Sequence, residues 1–297
     1  MDITSSNLES LRVGFKTLYN QGLGMAQPMW NMIAEEVPST HLEENYGWLG
    51  EMPGMREWVG PRVVHALKEH DFRIKNKDFE LTYGVSRTRI EDDSLGIYSN
   101  RFRQMGKSTG SQYDLSVWAL LKAGFSTLCY DGQYMFDSDH PVLDADGSVQ
   151  SVSNTGGGGG TPWFLVDMSQ VTKPVILQVR KRFEFVSKDR LTDDNVFNQK
   201  EFLYGVDGRY NVGFGLWQMA YGSKDTLNAA NYSAAYAALE GMRGDYGRPL
   251  GMKPTHLVVP PSLRSAGQKL LNSEYGSGGE TNEWKGTAEL MVSSWLA

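Results

Sequence analysis

Between Asp93 and Leu128 the apolar residues Leu95, Tyr98, Phe102, Met105, Tyr113, Val117, Leu120, Leu121 and Phe125 recur at i, i+3 or i+4, with no proline among them. That spacing predicts helix. Unbroken, it would run about 30 residues and roughly 45 Å, so the rest of the fold must be laid out along it. Gly106 and Gly110 are its weak points.

The flanking segments have other periods. Ser6 with Glu9 reads as a capping box, followed by Leu8, Leu11, Phe15, Leu18 and Tyr19 at helical spacing, with a stop near Gly22 or Gly24. From Met25 to Trp48 the chain carries Pro28, Pro38 and scattered large apolar residues without a period, which predicts an extended arm needing another surface to cover Met29, Trp30 and Met32. Phe72 and Ile74, then Phe79, Leu81, Tyr83 and Val85, alternate with polar residues around a Lys-Asn-Lys-Asp turn, predicting a two-stranded ribbon. Such a ribbon is marginal alone and must rest on something else.

Farther on, five consecutive glycines at 156–160 predict a flexible segment. Val175, Leu177 and Val179 mark a strand, and the aromatic, glycine-rich stretch from Glu201 to Ser223 predicts strands and tight turns. Tyr232, Tyr236 and Leu239 share a helix face ending by Gly244, Thr255–Pro260 is a buried strand, Pro261 opens a helix, and Ala288–Ala297 is a closing strand.

The stretch Tyr130–Val142 gathers Asp131, Asp137, Asp139 and His140, with Asp144 and Asp146 just beyond. An EF-hand needs glycine at its sixth position, where registers from Asp137 and Asp144 place Val142 and Val149. His41, His65, His70 and His256 show no paired metal-ligand spacing. The stretch therefore reads as an acidic loop with Asx turns, and a hydrolase using Asp137, Asp139 and His140 stands as the enzyme alternative. The glycine run is followed by Thr161-Pro162 where a phosphate loop needs Lys and Ser or Thr, and no Gly-x-Ser-x-Gly elbow occurs. No catalytic, cofactor-binding or metal-ligating residue is assigned. The single Cys129 rules out an intramolecular disulfide and reads as a buried, inert core thiol.

A net charge of −6 argues against a dedicated nucleic-acid binder, although basic residues cluster between Arg62 and Lys107 and again at Arg180–Arg190. The first residues lack a basic leader and an apolar core, and no apolar run approaches a membrane span, so the expectation is a soluble intracellular chain with no membrane partner.

The order of arm, ribbon, long helix, glycine-rich interruption and strand-and-helix region resembles the HK97-like major capsid fold, an α+β architecture. The segments ALLKAGFSTLCYDGQYMFDSDHPV, WFLVDMSQVTKPVILQVRKRFEFVSKD, EFLYGVDGRYNVGFGLWQMAYGS, THLVVPPSLRSAGQKLL and ELMVSSWLA are similar to the major head subunit of Mu-like phages and prophages, over essentially the whole chain. The resemblance implies an N-terminal arm at 1–44, an extended loop with base strands at 45–92 and a spine helix of the peripheral domain at 93–129. It implies an axial-domain entry with the glycine-rich loop at 130–170, peripheral strands at 171–204, an axial domain at 205–285 and a C-terminal peripheral strand at 286–297.

The implied function is structural, without enzymatic activity or cofactor. Subunits would form homo-pentamers and homo-hexamers of an icosahedral virion capsid around double-stranded DNA, assembled in the host bacterial cytoplasm. Implied partners are a separate scaffold, a maturation protease, a portal and a decoration protein. A nanocompartment shell of the same fold is the alternative within the class. No isopeptide motif is recognisable, so closure is expected to be noncovalent, and no fused scaffolding domain is expected ahead of the arm. The apolar residues Leu11, Phe15, Met29, Trp30, Trp48, Trp58, Phe72 and Ile74 are candidates for subunit interfaces. Arg101, Arg103 and Lys107 are candidates for facing the DNA.

Overall fold

A computed structural model describes residues 3–47, 49, 71–92, 96–276 and 278–297. In chain order the elements are α1 (Ser5–Met25), α2 (Trp30–Ile33), β1 (Ala34–Pro38), β2 (Glu43–Asn45), β3 (Arg73–Lys75), β4 (Lys77–Ser86), α3 (Arg87–Glu91), α4 (Gly96–Gly110) and α5 (Gln112–Lys122). After a long loop come β5 (His140–Leu143), β6 (Val149–Val152), β7 (Thr155–Gly157), β8 (Trp163–Val166), β9 (Val175–Lys188), α6 (Asp194–Gln199) and β10 (Glu201–Phe214). The last are β11 (Ala220–Ser223), α7 (Ala229–Glu240), β12 (His256–Val259), α8 (Arg264–Asn272) and β13 (Glu289–Val292).

Two sheets organise these elements. One has the order β1-β9-β10-β4, the other β13-β12-β8-β11-β7. The 14-residue strands β9 and β10 form an antiparallel hairpin that belongs to both hydrophobic cores. Val175–Val179, Tyr210 and Phe214 are buried with the five-stranded sheet. Phe202, Tyr204 and Val206 are buried instead with Phe15, Tyr19, Phe102 and Met105. The passage between the cores coincides with a register irregularity from Asp207 to Tyr210, where extra local twist lets one ribbon serve two packing layers.

The expected long helix is two helices. It breaks at Gly110–Ser111, and α5 ends at Lys122 in a short turn through Phe125. Gly110 was a predicted weak point and the break falls there. Gly106 has another reason to be glycine: a Cβ on it would lie 2.0 Å from the Tyr19 carbonyl oxygen, and one on Gly22 would lie 1.9 Å from that of Arg103. Gly22 therefore does not stop α1, which continues to Met25, and its N-cap is Thr4, accepting from the Asn7 amide, rather than Ser6. Paired positions rise together along α1 and α4, so the two helices run parallel with their backbones in contact.

The predicted ribbon is not a hairpin. β3 pairs with β2, whereas β4 pairs along its whole length with β10. Only Asn76 separates β3 from β4, too short a connection to fold them back on each other. The arm covers itself on its own chain: β1 adds in parallel to β9, the Asp114 carboxylate accepts from the Met29 amide at 2.9 Å, and Trp30 meets Tyr113 edge-on at 5.9 Å.

The closing strand also goes elsewhere. β13 pairs in parallel with β12, so it joins the five-stranded sheet and not the β9 strand. A boundary at 204/205 would cut β10 after its fourth residue. The glycine run is a fitted strap: Gly160 donates to the Lys224 carbonyl, Lys224 donates to that of Gly157, and Gly158 has φ +83 with 2.5 Å from its Cβ position to the Asp225 amide. The α7 helix ends at Gly241, three residues before Gly244.

A buried amide holds the base of the arm. Gln178 donates to the Ile74 carbonyl (2.9 Å) and Asn76 Oδ1 (2.8 Å) and accepts from the Tyr46 hydroxyl (2.9 Å). Asn76 in turn donates to Ser39 Oγ and the His41 carbonyl. Gln178→Ala should cost about 1–3 kcal/mol for each group left buried and unpaired. Hydrogen exchange at Tyr46 and Asn76 would rise sharply, while α7 would be unaffected. Equal exchange in variant and wild type would rule the anchor out.

Candidate functional site

The acidic stretch resolves into a buried polar cluster between the first core and β5. His140 opens β5, fully buried, with its ring stacked on Trp217 at 3.9 Å and 9°. Its Nδ1 lies 2.7 Å from Asp131 Oδ2 and its Nε2 lies 3.2 Å from Asn154 Oδ1. The Cys129 thiol donates to Asp131 Oδ1 at 2.9 Å, and the Gln133 amide donates to the same oxygen. Burial pushes the Asp131 carboxyl up, but the hydrogen bonds from His140, Cys129 and the Gln133 amide outweigh it and hold the group below its ordinary value. Burial pushes the Cys129 thiol up, and the neighbouring Asp131 carboxylate adds to it. That is the buried thiol expected from the sequence, and the opposite of a nucleophile.

The hydrolase arrangement is not assembled. Asp137 turns to the amides of Ser138 (2.7 Å) and Tyr134 (3.3 Å), and Asp139 supplies its backbone carbonyl to Gln133. His140 faces Asp131 instead of either residue, and with no exposed surface it can meet no substrate. The sequence reading had Asp131 and His140 in one stretch but missed their pairing, and it missed Asn154, whose signal was a lone amide beside the glycine run.

The interface candidates divide into three groups. Phe15 and Ile74 are buried inside the chain. Leu11, Met29, Trp30 and Phe72 are half-buried against the same two cores. Trp48 and Trp58 lie outside the described residues. Two large apolar residues the sequence reading passed over, Phe197 on α6 and Val171, are 83% and 92% exposed. Of the basic candidates on α4, Arg101 and Lys107 are exposed. Arg103 donates to Gln21 on α1 and to Asn100, so its charge is engaged within the chain. Among the described residues no helix is long and apolar enough to cross a membrane.

Known proteins share this whole arrangement. Residues 8–296 match the family described as Mu-like prophage major head subunit gpT. The major capsid protein of Escherichia phage Mu is 40% identical over 305 aligned positions, spanning all of both chains. Among solved structures, the procapsid of bacteriophage JBD30 superposes with a TM-score of 0.86 at 39% identity, over 99% of this chain and 100% of that one. The JBD30 capsid decorated with minor capsid protein trimers gives 0.79 at 30% identity, over 93% of each chain. These likenesses run through the elements that carry the two cores, and the fold is the HK97-like major capsid fold. Matched by the family over residues 8–296 and by a phage major capsid protein over its full length, the chain belongs to the Mu-like prophage major head subunits.

Proposed function

We propose that copies of this chain form pentamers and hexamers that close into an icosahedral head around double-stranded DNA, assembled in the host bacterial cytoplasm and carried in the virion. The full-length match to a phage major capsid protein is the observation that carries this reading. A nanocompartment role has no observation of its own in its favour.

In this reading the four-stranded sheet with α1 and α4 is the peripheral domain, and the five-stranded sheet with α7 and α8 is the axial domain around the capsomer centre. The extended loop would take in 45–92, of which 48 and 50–70 lie outside the described residues, with β4 at its base. Leu11, Met29, Trp30 and Phe72 remain interface candidates at the rims of the cores. A separate scaffold, a maturation protease and a portal act with the subunit, and a minor capsid protein decorates the shell, as one does in JBD30.

Co-expression with scaffold, followed by light scattering and electron microscopy on one sample, tests the reading. Closed shells, or rings of five and six subunits, are expected. A stable monomer or dimer would overturn it. The DNA contact has its own test. Arg101→Gln with Lys107→Gln should leave assembly intact and reduce packaged DNA, since both side chains are exposed and removing phosphate contacts weakens nonspecific binding. Unchanged packaging in the double variant would remove α4 from the DNA-facing surface.

A further inference from the structure

The hydrogen bonds around His140 contain a proton count that fixes more than their geometry. Asn154 Nδ2 donates to the carbonyls of Met135 (2.8 Å), Trp217 (3.2 Å) and Ala220 (3.2 Å), and Asn154 Oδ1 accepts from the Asp137 amide (3.0 Å). Its amide orientation is therefore set by four backbone groups, and the atom facing His140 Nε2 is an acceptor. Nε2 must carry a hydrogen. In a neutral ring Nδ1 then holds a lone pair, yet it stands 2.7 Å from a carboxylate oxygen, which is also an acceptor. A proton, on the ring or on the carboxyl, or a metal ion in its place must link them.

Either link satisfies both atoms. The surrounding chemistry favours the ion: Cys129 Sγ, an Asp131 oxygen and a His140 nitrogen all lie within 4.8 Å of one another, so small side-chain rotations bring them to ligand distances of about 2.0–2.3 Å. A ligating histidine characteristically donates its other ring N–H to an oxygen that fixes its tautomer, which is the part Asn154 plays. We propose that Cys129, Asp131 and His140 bind one divalent transition-metal ion of the zinc class, with Asn154 as the outer partner of His140. A mixed sulfur, nitrogen and oxygen set of this kind suits zinc.

The exchange balances. The ion displaces two protons, one from the Cys129 thiol and the one linking His140 Nδ1 to Asp131, so the buried cluster keeps its net charge. The metal would staple the loop from Ser126 to Asp139, which holds a single isolated bridge, Leu128 with Tyr134, and no strand. Loop, β5 and Asn154 would then meet at one point, adding metal-binding energy to folding.

Untagged wild-type protein, purified as assembled particles from zinc-supplemented cells, tests this by elemental analysis. About one zinc per chain is expected, with loss of most of it in Cys129→Ser and His140→Gln. Cobalt added to chelator-stripped wild type should give a thiolate-to-cobalt charge-transfer band that Cys129→Ser lacks. Wild type with zinc far below one per chain and no cobalt band would overturn the proposal and leave a shared proton as the link. Zinc retained undiminished in both variants would overturn it too. The wild-type measurements stand even if a variant fails to fold.

Discussion

Phe102→Ala is expected to cost about 3–5 kcal/mol and to release α1 from the four-stranded sheet. Phe102 is fully buried and stands where α1 and three strands of the four-stranded sheet converge. Its ring stacks on Phe15 of α1 at 4.0 Å, meets Tyr204 of β10 edge-on at 5.7 Å, and lies 6.2 Å from Tyr83 and 6.3 Å from Phe185. Truncation removes the central ring while its neighbours, fixed on the sheet and on α1, have little freedom to collapse into the space. The loss therefore includes a cavity cost beyond the transfer of the side chain. Hydrogen exchange of α1 in purified capsomers should rise far more than that of α7, which packs in the other core. A Phe102→Leu control should lose less. Matching exchange in α1 and α7 would mean the two cores melt together, against the division described here.

Gly106→Ala tests the parallel contact of α1 and α4 by the sign of its effect. Alanine is favoured over glycine in a helix interior by about 0.8–1.0 kcal/mol, so a loosely packed site would gain stability. Here the new Cβ would fall 2.0 Å from the Tyr19 carbonyl oxygen and 2.7 Å from the Leu23 amide nitrogen. Backbone atoms cannot rotate aside, so the helices must part, at the upper end of the roughly 1–3 kcal/mol typical of overpacking. Gly14, also on α1, has nothing within 4 Å of its Cβ position. Gly14→Ala should stabilise by the propensity term. Thermal melts of the two variants should therefore shift in opposite directions, and a shared direction would contradict the packing.

The contrast between these glycines shows what the sequence could and could not disclose. Helical periodicity placed α1, α4, α5 and α7 because apolar spacing reports which face is buried. It carried no information on how closely the buried face approaches its partner, so Gly22 read as a stop and Gly106 as a weak point. Alternation likewise located β4 and β9 correctly. Pairing was the part it missed: β4 needed β10 and β13 needed β12, partners distant in sequence whose match depends on tertiary placement. The glycine run failed for a related reason, since composition gives its freedom in isolation and not the Lys224 backbone that removes it. At the buried cluster, residue types were visible in YDGQYMFDSDHPV, but the choice of Asp131 over Asp137 and Asp139 depends on where the loop turns.

The β9–β10 hairpin also dictates when the chain can fold. β1 waits for Val175–Val179, and β4 waits for Glu201–Tyr210. Neither core can close until the nascent chain has extended past Phe214, so α1, β1 and β4 emerge from the ribosome with their buried faces uncovered. Topologies dominated by such distant pairings fold slowly and expose strand edges meanwhile. A chain with this topology is thus at risk of tangling during synthesis. Its yield will depend on chaperone supply and translation rate as well as on the stability of the finished fold.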